Sequence, residues 1–585
     1  MVSDAESGPT TSPQPVVADS VRPRRRGRTL LIGATALVAV LAVGGGVTSW
    51  FLLQGPEPVE TAVPYVQAWE ELDYPAMAEW VQDGASEELE TAHTELAERL
   101  DVQDVEIDLG DVTAAEDGDT ATAPLEVRLD MGEVGQWSYA SELPLQLQEG
   151  QWLVDFSPAV LYPELEQGQT LTQVNDWAER GDVLAADATP IDTEEVSGSL
   201  QLLAGSIGTA DAEALEDLGP AYAEGDPVGV SGVQRSYQSE LAGSPATSIR
   251  VVDQDTEDPT AADIAEDPEA FAEVDTIEGS SGEDVTTTID PGVQQAAEQA
   301  IGGQEEPTAL TALRPETGEI LATANSPADY NQAFEGQYAP GSAFKIVTYA
   351  ALLDAGMGMD ATLDCPETAT VSGWEFSNAG DAEHGEQTVT EAFATSCNTA
   401  LLQEVDERLD AQDQVNAAHE FGFDTDLDVG VPTNEAQFPD PDGAPRLIAE
   451  SMGQGQILTS PLHMASVPAA VAAGAWHSPT VIASPEPTEV PDPRPVASAE
   501  NLQSMMRAVI TEGTAEDVEF GADVYGKTGS AEFGEREDED DDLDSHAWFV
   551  GFDEGHDVAF AVLVEGGGSG GSVAAPLAAD FLAEL

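Results

Sequence analysis

The chain has 585 residues and carries 112 acidic against 18 basic side chains, a formal net charge of −94 at neutral pH. That balance excludes nucleic acid as a partner, since phosphate binding needs a basic footprint, and the length exceeds what a single core holds, so several folded units are expected. Hydrophobic residues make up 41% of the chain, an ordinary globular share, so most of it should fold; the acidic self-repulsion is tolerable where salt screens it, and a saline medium or a drift in base composition accounts for it equally.

Residues 1–28 are rich in Pro, Ser and Thr, lack periodicity, and read as a disordered cytoplasmic tail that ends in Arg22, Arg24, Arg25, Arg26 and Arg28. The uncharged run 29–53, TLLIGATALVAVLAVGGGVTSWFLL, is long enough to span a bilayer. The arginines hold its start in the cytoplasm, and Trp50 and Phe51 suit the far interface. It exceeds the apolar core of a signal peptide and no Ala-x-Ala cleavage site follows it, Ala34-Thr35-Ala36 lying inside the run, so we expect an uncleaved single-pass anchor in the cytoplasmic membrane, with everything after Gln54 outside.

Residues 57–165 read as one small α+β domain. TAVPYVQAWEELDYPAMAEWV has apolar residues at helical spacing with a break at Asp73-Tyr74-Pro75, and TAPLEVRLDM, QWSYASELPLQLQ and QWLVDFS alternate as strands. With no constellation of reactive groups, this domain is expected to be a spacer or a platform for a partner. Residues 166–285 contain a turn-and-helix signature, GVSGVQRSYQSELAG, around Gly232 and Gly243; Glu257–Asp284 is acidic, poor in large apolar residues, and reads as a linker or surface excursion. Residues 286–585 combine amphipathic stretches, two late strand runs (HAWFVGFD and DVAFAVLVEG) and a closing helix, SVAAPLAADFLAEL, which predict a sheet with helices packed on it. No fixed-period repeat is present.

Lysine usage singles out the chemistry. The chain has two lysines, Lys345 and Lys527, all other side-chain cations apart from histidine being arginine. Lysine is retained where arginine cannot serve, as a base that loses its proton or as a compact point charge. In YAPGSAFKIVTYAALLDAG, Ser342 and Lys345 sit three apart ahead of an apolar helical pattern and share a face, so the amine can reach the hydroxyl. Lysine works as that base only if burial or a nearby cation lowers its pKa. Pro340-Gly341 would open the helix and leave backbone N–H groups near Ser342 for an oxyanion. VTEAFATSCNTALLQEV contributes Ser396 as a proton relay and Asn398 to hold a peptide bond. DVYGKTGSAEF presents Lys527, Thr528, Gly529 and Ser530 on a strand suited to a carboxylate, with Lys527 a candidate cation beside Lys345. Taken singly, a polar cap explains the second tripeptide and a strand end the third.

Ser-x-x-Lys, Ser-x-Asn and Lys-Thr-Gly in this order resemble the motif set of penicillin-binding proteins and serine β-lactamases, at a spacing of 54 residues from Ser342 to Ser396 and 131 from Ser396 to Lys527 that is similar to that of transpeptidase domains. TTIDPGVQQAAEQAI, PETGEILATANSP, SMGQGQILTSPLHMA and MMRAVITEGTA look like segments of class B penicillin-binding transpeptidases. The anchor, the helix-then-strands region and GVSGVQRSYQSELAG resemble the subgroup that includes the methicillin-resistance type, over roughly residues 29–585. The resemblance implies a multidomain α+β protein: a single transmembrane helix, a nuclear transport factor two-like domain over 57–165, a dimerisation-like domain over 166–285, and a transpeptidase domain over 286–585 with a central antiparallel sheet and helices. It implies that Ser342 is acylated by a terminal D-alanyl-D-alanine, with Lys345 taking its proton and Ser396 passing it to the leaving amine. Asn398 would orient the donor; Lys527, Thr528, Gly529 and Ser530 would form the carboxylate site, and the N–H groups of Ser342 and Ser530 the oxyanion hole. Implied partners are peptidoglycan stem peptides, β-lactam antibiotics and cell-wall synthesis or division proteins, with no cofactor. Two departures touch the middle domain: the family's Asp-Arg pair is missing after Arg180-Gly181-Asp182-Val183, and Gln234 stands where the family usually has Glu.

The chain's two cysteines, Cys365 and Cys397, are both extracytoplasmic on this topology, where a disulfide bracing the Ser-x-Asn loop and two buried thiols are both open. The seven histidines show no paired ligand spacing, so no metal site is expected. Glu535–Asp544 reads as a solvated hairpin tip that could also repel anionic ligands. The alternatives to a transpeptidase are a D,D-carboxypeptidase or β-lactamase of the same fold, for which no second carboxylate base stands out, and a non-catalytic β-lactam sensor or cell-wall scaffold, which would not need Ser396 and Asn398 together.

Overall fold

The computed structural model describes residues 56–585 except 117, 220, 257, 269, 488–489 and 535–542. The tail and anchor expected over 1–53, and most of the acidic run, lie outside the described residues, among which no helix is long and apolar enough to cross a membrane. In the N-terminal unit, helices Val59–Glu70, Tyr74–Ala78 and Ser86–Arg99 accompany an antiparallel sheet ordered Asp104–Leu109, Thr120–Asp130, Gln136–Gln148, Gln151–Val154. The break between the first two helices has a local cause: Asp73 caps the second, accepting from Ala76 N at 3.0 Å, and Pro75 occupies its first turn. Thr120–Asp130 alternates exposed and buried along its length, so Ala121, Ala123, Leu125, Val127 and Leu129 form one wall of the core.

Among the described residues, 166–285 form no hydrophobic cluster of their own. Strands Gln169–Asp176, Ala246–Asp253 and Ala272–Ile277 form a three-stranded sheet whose Leu171 and Ile249 belong to the N-terminal core. Val183, Leu203, Val233, Leu241 and Val285 belong to the core of the C-terminal unit. Glu257–Asp284, expected to be a linker or a surface excursion, is largely exposed but is not a structureless linker: it contains the helix Ala261–Glu266 and the edge strand Ala272–Ile277. Backbone pairing holds that strand, which buries little, so composition does not reveal it.

Arg180 and Gln234 meet despite the departures from the family pattern. Arg180 Nε donates to Gln234 Oε1 at 2.6 Å, and Nη2 donates to Gln234 O and Gln238 Oε1. Gln234 Nε2 donates in turn to Asp192 Oδ2 at 3.0 Å, which also accepts from Val183 N. The negative charge thus sits one residue further along the chain of bonds, at Asp192.

The C-terminal unit is built on a five-stranded antiparallel sheet ordered Ile320–Ser326, Thr308–Leu313, Val558–Val564, Ser545–Asp553, Val524–Glu532. Thr308–Leu313 and Val558–Val564 are buried at every position, the pattern of strands covered on both faces. Helix Pro461–Ala473, buried almost throughout, lies against Val558–Val564, while Pro291–Ile301 and Ala575–Ala583 pack together on the sheet. Helix Ala499–Glu512 packs on the edge strand Val524–Glu532, which carries Lys527.

Gln234→Glu should set a second carboxylate against Asp192 and lower stability by about 1–3 kcal/mol, with Asp192→Asn restoring most of it in the double variant. Calorimetric melting checks this; an unchanged single variant would contradict it.

Candidate active site

The turn before the helix Lys345–Asp354 fixes Ser342. Gly341 has φ +53°, and a Cβ there would lie 2.4 Å from Ser530 O, so only glycine lets this turn approach the edge strand. Gly453, in the SMGQG segment, supports the turn from behind: Gly341 N donates to its carbonyl at 2.9 Å. Trp548 Nε1 holds Ala339 O at 3.0 Å. Ser342 is half-buried, and its hydroxyl has no hydrogen-bond partner among the described residues. Among the described residues no hydrogen bond joins Ser342 to Lys345. Lys345 Nζ faces the Ser-x-Asn loop, 2.7 Å from Ser396 O, 2.6 Å from Asn398 Oδ1 and 3.2 Å from Ser396 Oγ.

Ser396 occupies a helix terminus of unusual composition. Cys397 N donates to Ala392 O and Ser396 N to Phe393 O, the paired bonds of a Schellman turn that ends helix Val389–Ala394. The residue at the turn is normally glycine; here it is serine at φ +57°, a conformation costing an L-residue roughly 1 kcal/mol. The turn aims both the carbonyl and the hydroxyl of Ser396 at Lys345. Asn378, buried, clamps the next helix: its Oδ1 accepts from Asn398 N at 2.9 Å and Thr399 N at 3.1 Å. Cys365 and Cys397 form a disulfide, tying this loop to strand Thr362–Cys365. Asn398 Nδ2 donates to Ser377 O at 3.1 Å.

From the edge strand, Lys527 Nζ donates to Ser396 Oγ at 3.0 Å and to Thr528 O at 3.0 Å, 5.6 Å from the centre of the Phe393 ring. Both amines are wholly buried and converge on one hydroxyl. Burial holds the Lys345 pKa well below its ordinary value, and the neighbouring Lys527 cation lowers it further. Burial brings Lys527 down to about 7. A neutral lysine has two protons and one lone pair, so Lys345 can satisfy Ser396 O and Asn398 Oδ1 and still have a lone pair to accept a proton. Further along the strand, Thr528 Oγ1 lies 2.7 Å from Thr514 Oγ1, Ser530 Oγ accepts from Gly570 N at 3.3 Å, and a Cβ on Gly529 would press on Pro340 O at 2.8 Å.

The structure therefore brings Ser342, Lys345, Ser396, Asn398 and Lys527–Ser530 to one locus formed by the nucleophile turn, the Ser-x-Asn loop and the edge strand. Sequence reasoning missed Asn378, Thr514 and Gly453; the latter two lie in stretches whose family likeness was visible without a role for either residue. Among the described residues no cluster of His, Cys, Asp and Glu could hold a metal ion.

Residues 308–583 match the penicillin binding protein transpeptidase domain, and 57–169 match the NTF2-like N-terminal transpeptidase domain. The peptidoglycan D,D-transpeptidase PbpA of Mycolicibacterium smegmatis is 32% identical over 358 residues, covering 51% of this chain and 71% of that protein. The PbpA of Mycobacterium tuberculosis is 31% identical over 360 residues, with the same coverage of 51% and 71%. The structure of Pseudomonas aeruginosa PBP2 in complex with WCK 5153 superposes with a TM-score of 0.58 over 71% of this chain and 96% of that one, at 22% identity, which is a likeness of fold.

Replacing Ser396 by Ala or by Gly removes the shared hydroxyl in both cases, but only Gly relieves the left-handed backbone. Ser396→Gly should therefore be more stable than Ser396→Ala by about 1 kcal/mol in thermal melts; an alanine variant as stable as the glycine one would contradict the strain.

Proposed function

The chain belongs to the penicillin-binding protein transpeptidases, of the class B type with an NTF2-like N-terminal domain, and from that premise we propose how its residues perform the reaction. It is a peptidoglycan D,D-transpeptidase. The observation that carries the assignment of roles is the convergence of two buried amines on Ser396 Oγ, at 3.2 Å from Lys345 and 3.0 Å from Lys527.

In this reading the donor stem peptide lies along the edge strand, its terminal carboxylate held by Lys527, Thr528 and Ser530. Ser342 Oγ attacks the carbonyl of the penultimate D-alanine, and neutral Lys345 takes its proton. The N–H groups of Ser342 and Ser530 receive the developing oxyanion. Asn398 orients the donor through its side-chain amide, exchanging its Ser377 partner for the peptide. The C–N bond then breaks as Ser396 passes a proton to the departing D-alanine amine, leaving an ester on Ser342. A second stem peptide supplies an amine that attacks this ester; its proton returns along the same path and the Ser342 hydroxyl is restored. A β-lactam follows the donor's route to the acyl stage and stops there, since its leaving group stays tethered. We place the catalytic unit outside the cytoplasm on a single-pass anchor over 29–53, with the N-terminal unit as a platform for cell-wall synthesis or division proteins.

Covalent labelling of the purified protein by a fluorescent penicillin, beside Ser342→Ala, tests the reading: label that requires Ser342 and persists for hours is expected. Loss within seconds would indicate a β-lactamase, and no label on folded protein would contradict the assignment. The pH profile tests the base. Lys345 acts only when neutral, so the acylation rate should rise with pH through its lowered pKa and level off below the ordinary lysine value. Lys527→Met removes the cation that helps lower that pKa and should shift the rise to higher pH, as measured by stopped-flow acylation; an unshifted rise would contradict the coupling.

A further inference from the structure

Thr514 follows the helix Ala499–Glu512, in the stretch MMRAVITEGTA, and joins two of the three motifs. Its backbone N–H donates at 3.1 Å to Ala394 O, in the last turn of the helix that leads into Ser396. Gly513 makes this approach possible, since a Cβ there would lie 2.4 Å from Ala394 O. The Thr514 hydroxyl lies 2.7 Å from Thr528 Oγ1 on the edge strand, and either oxygen could be the donor. Thr514 is exposed, whereas Thr528 is 6% exposed. Among the described residues, Thr528 Oγ1 has no other hydrogen-bond partner.

The two directions of this bond have different consequences. A hydroxyl has one proton. If Thr528 donates to Thr514, nothing remains for an arriving carboxylate, which accepts only. If Thr514 donates, the Thr528 proton is free for the anion. Thr514, open to solvent, can replace what it gives by accepting from water, whereas buried Thr528 cannot. A chain running from water through Thr514 and Thr528 to the anion is also polarised in one sense throughout, which strengthens each link.

We propose that Thr514 is a positioning residue for the donor's carboxylate: it donates to Thr528 Oγ1 and thereby aims the Thr528 proton at the anion. The inference rests on the transpeptidase reading in which Thr528 holds that carboxylate. It predicts a defect that depends on the ligand's negative charge, which a merely structural role for Thr514 would not produce.

The test compares acylation of Ser342 by benzylpenicillin and by its uncharged methyl ester in wild type, Thr514→Val and Thr514→Ser. Thr514→Val should slow benzylpenicillin about tenfold while leaving the methyl ester within about twofold, and Thr514→Ser should restore both. Equal slowing of both ligands, or no slowing of either, would overturn the proposal. Thr514→Ala provides the same comparison should the valine variant fail to fold. Failure of wild-type protein to react with benzylpenicillin would instead overturn the transpeptidase reading, so the two failures are distinguishable.

Discussion

Two lysine amines share one serine hydroxyl in a place sealed from water, and the rest of the site is arranged around that difficulty. Burying an ammonium is expensive, and lowering Lys527 from 10.5 to about 7 amounts to several kcal/mol against its charged form. The unfolded chain binds more protons than the folded one between those two values. This contribution therefore destabilises the fold progressively as pH falls from 10.5 toward about 7, and levels off below. What offsets it is rigid: a five-stranded sheet, strands buried on both faces, and a helix that is apolar almost all round. The cost has a chemical return in the proposed mechanism, because burial and the neighbouring Lys527 also lower the Lys345 pKa and so favour the neutral amine that takes the proton of Ser342.

Rigidity at the site comes from close backbone approach. Gly341, Gly453 and Gly529 each stand where a Cβ would strike a carbonyl, at 2.4, 2.0 and 2.8 Å. The nucleophile turn is thereby pressed between the SMGQG segment and the edge strand. On the opposite side, the Schellman turn at Ser396, the Asn378 clamp and the Cys365–Cys397 disulfide fix the Ser-x-Asn loop. The middle segment connects this catalytic unit to the N-terminal one by dividing its apolar residues between their two cores. Such shared cores resist hinge motion better than a polar linker would.

Much of this was legible in the sequence, for identifiable reasons. A chain with two lysines marks both as special, and the three motifs name the side chains that meet. Period-two strands such as Thr120–Asp130 announce themselves because one face is buried and the other is wet. Helix Ser86–Arg99 is fainter, because the buried positions of SEELETAHTELAER, although at helical spacing, hold only two large apolar residues, Leu89 and Leu96, beside Ala92 and His93. Strand Ala272–Ile277 is held by backbone bonds that no composition records. The bonds from Lys345 to Ser396 and Asn398 were not legible, because helical spacing compares neighbours on one helix, whereas these acceptors arrive from a loop more than fifty residues away. Gln234 looked like a lost charge until Asp192 was found beside it.

The central claim is that both lysines are buried with depressed proton affinity, and the composition allows it to be measured directly. Protein labelled with ¹³C at lysine Cε should give two side-chain resonances, assigned through Lys527→Met, and a pH titration by NMR follows each. The account predicts that both titrate well below 10.5, with Lys527 near 7 and the Lys345 midpoint rising when Lys527 is replaced. Two resonances titrating together near the ordinary lysine value would contradict it.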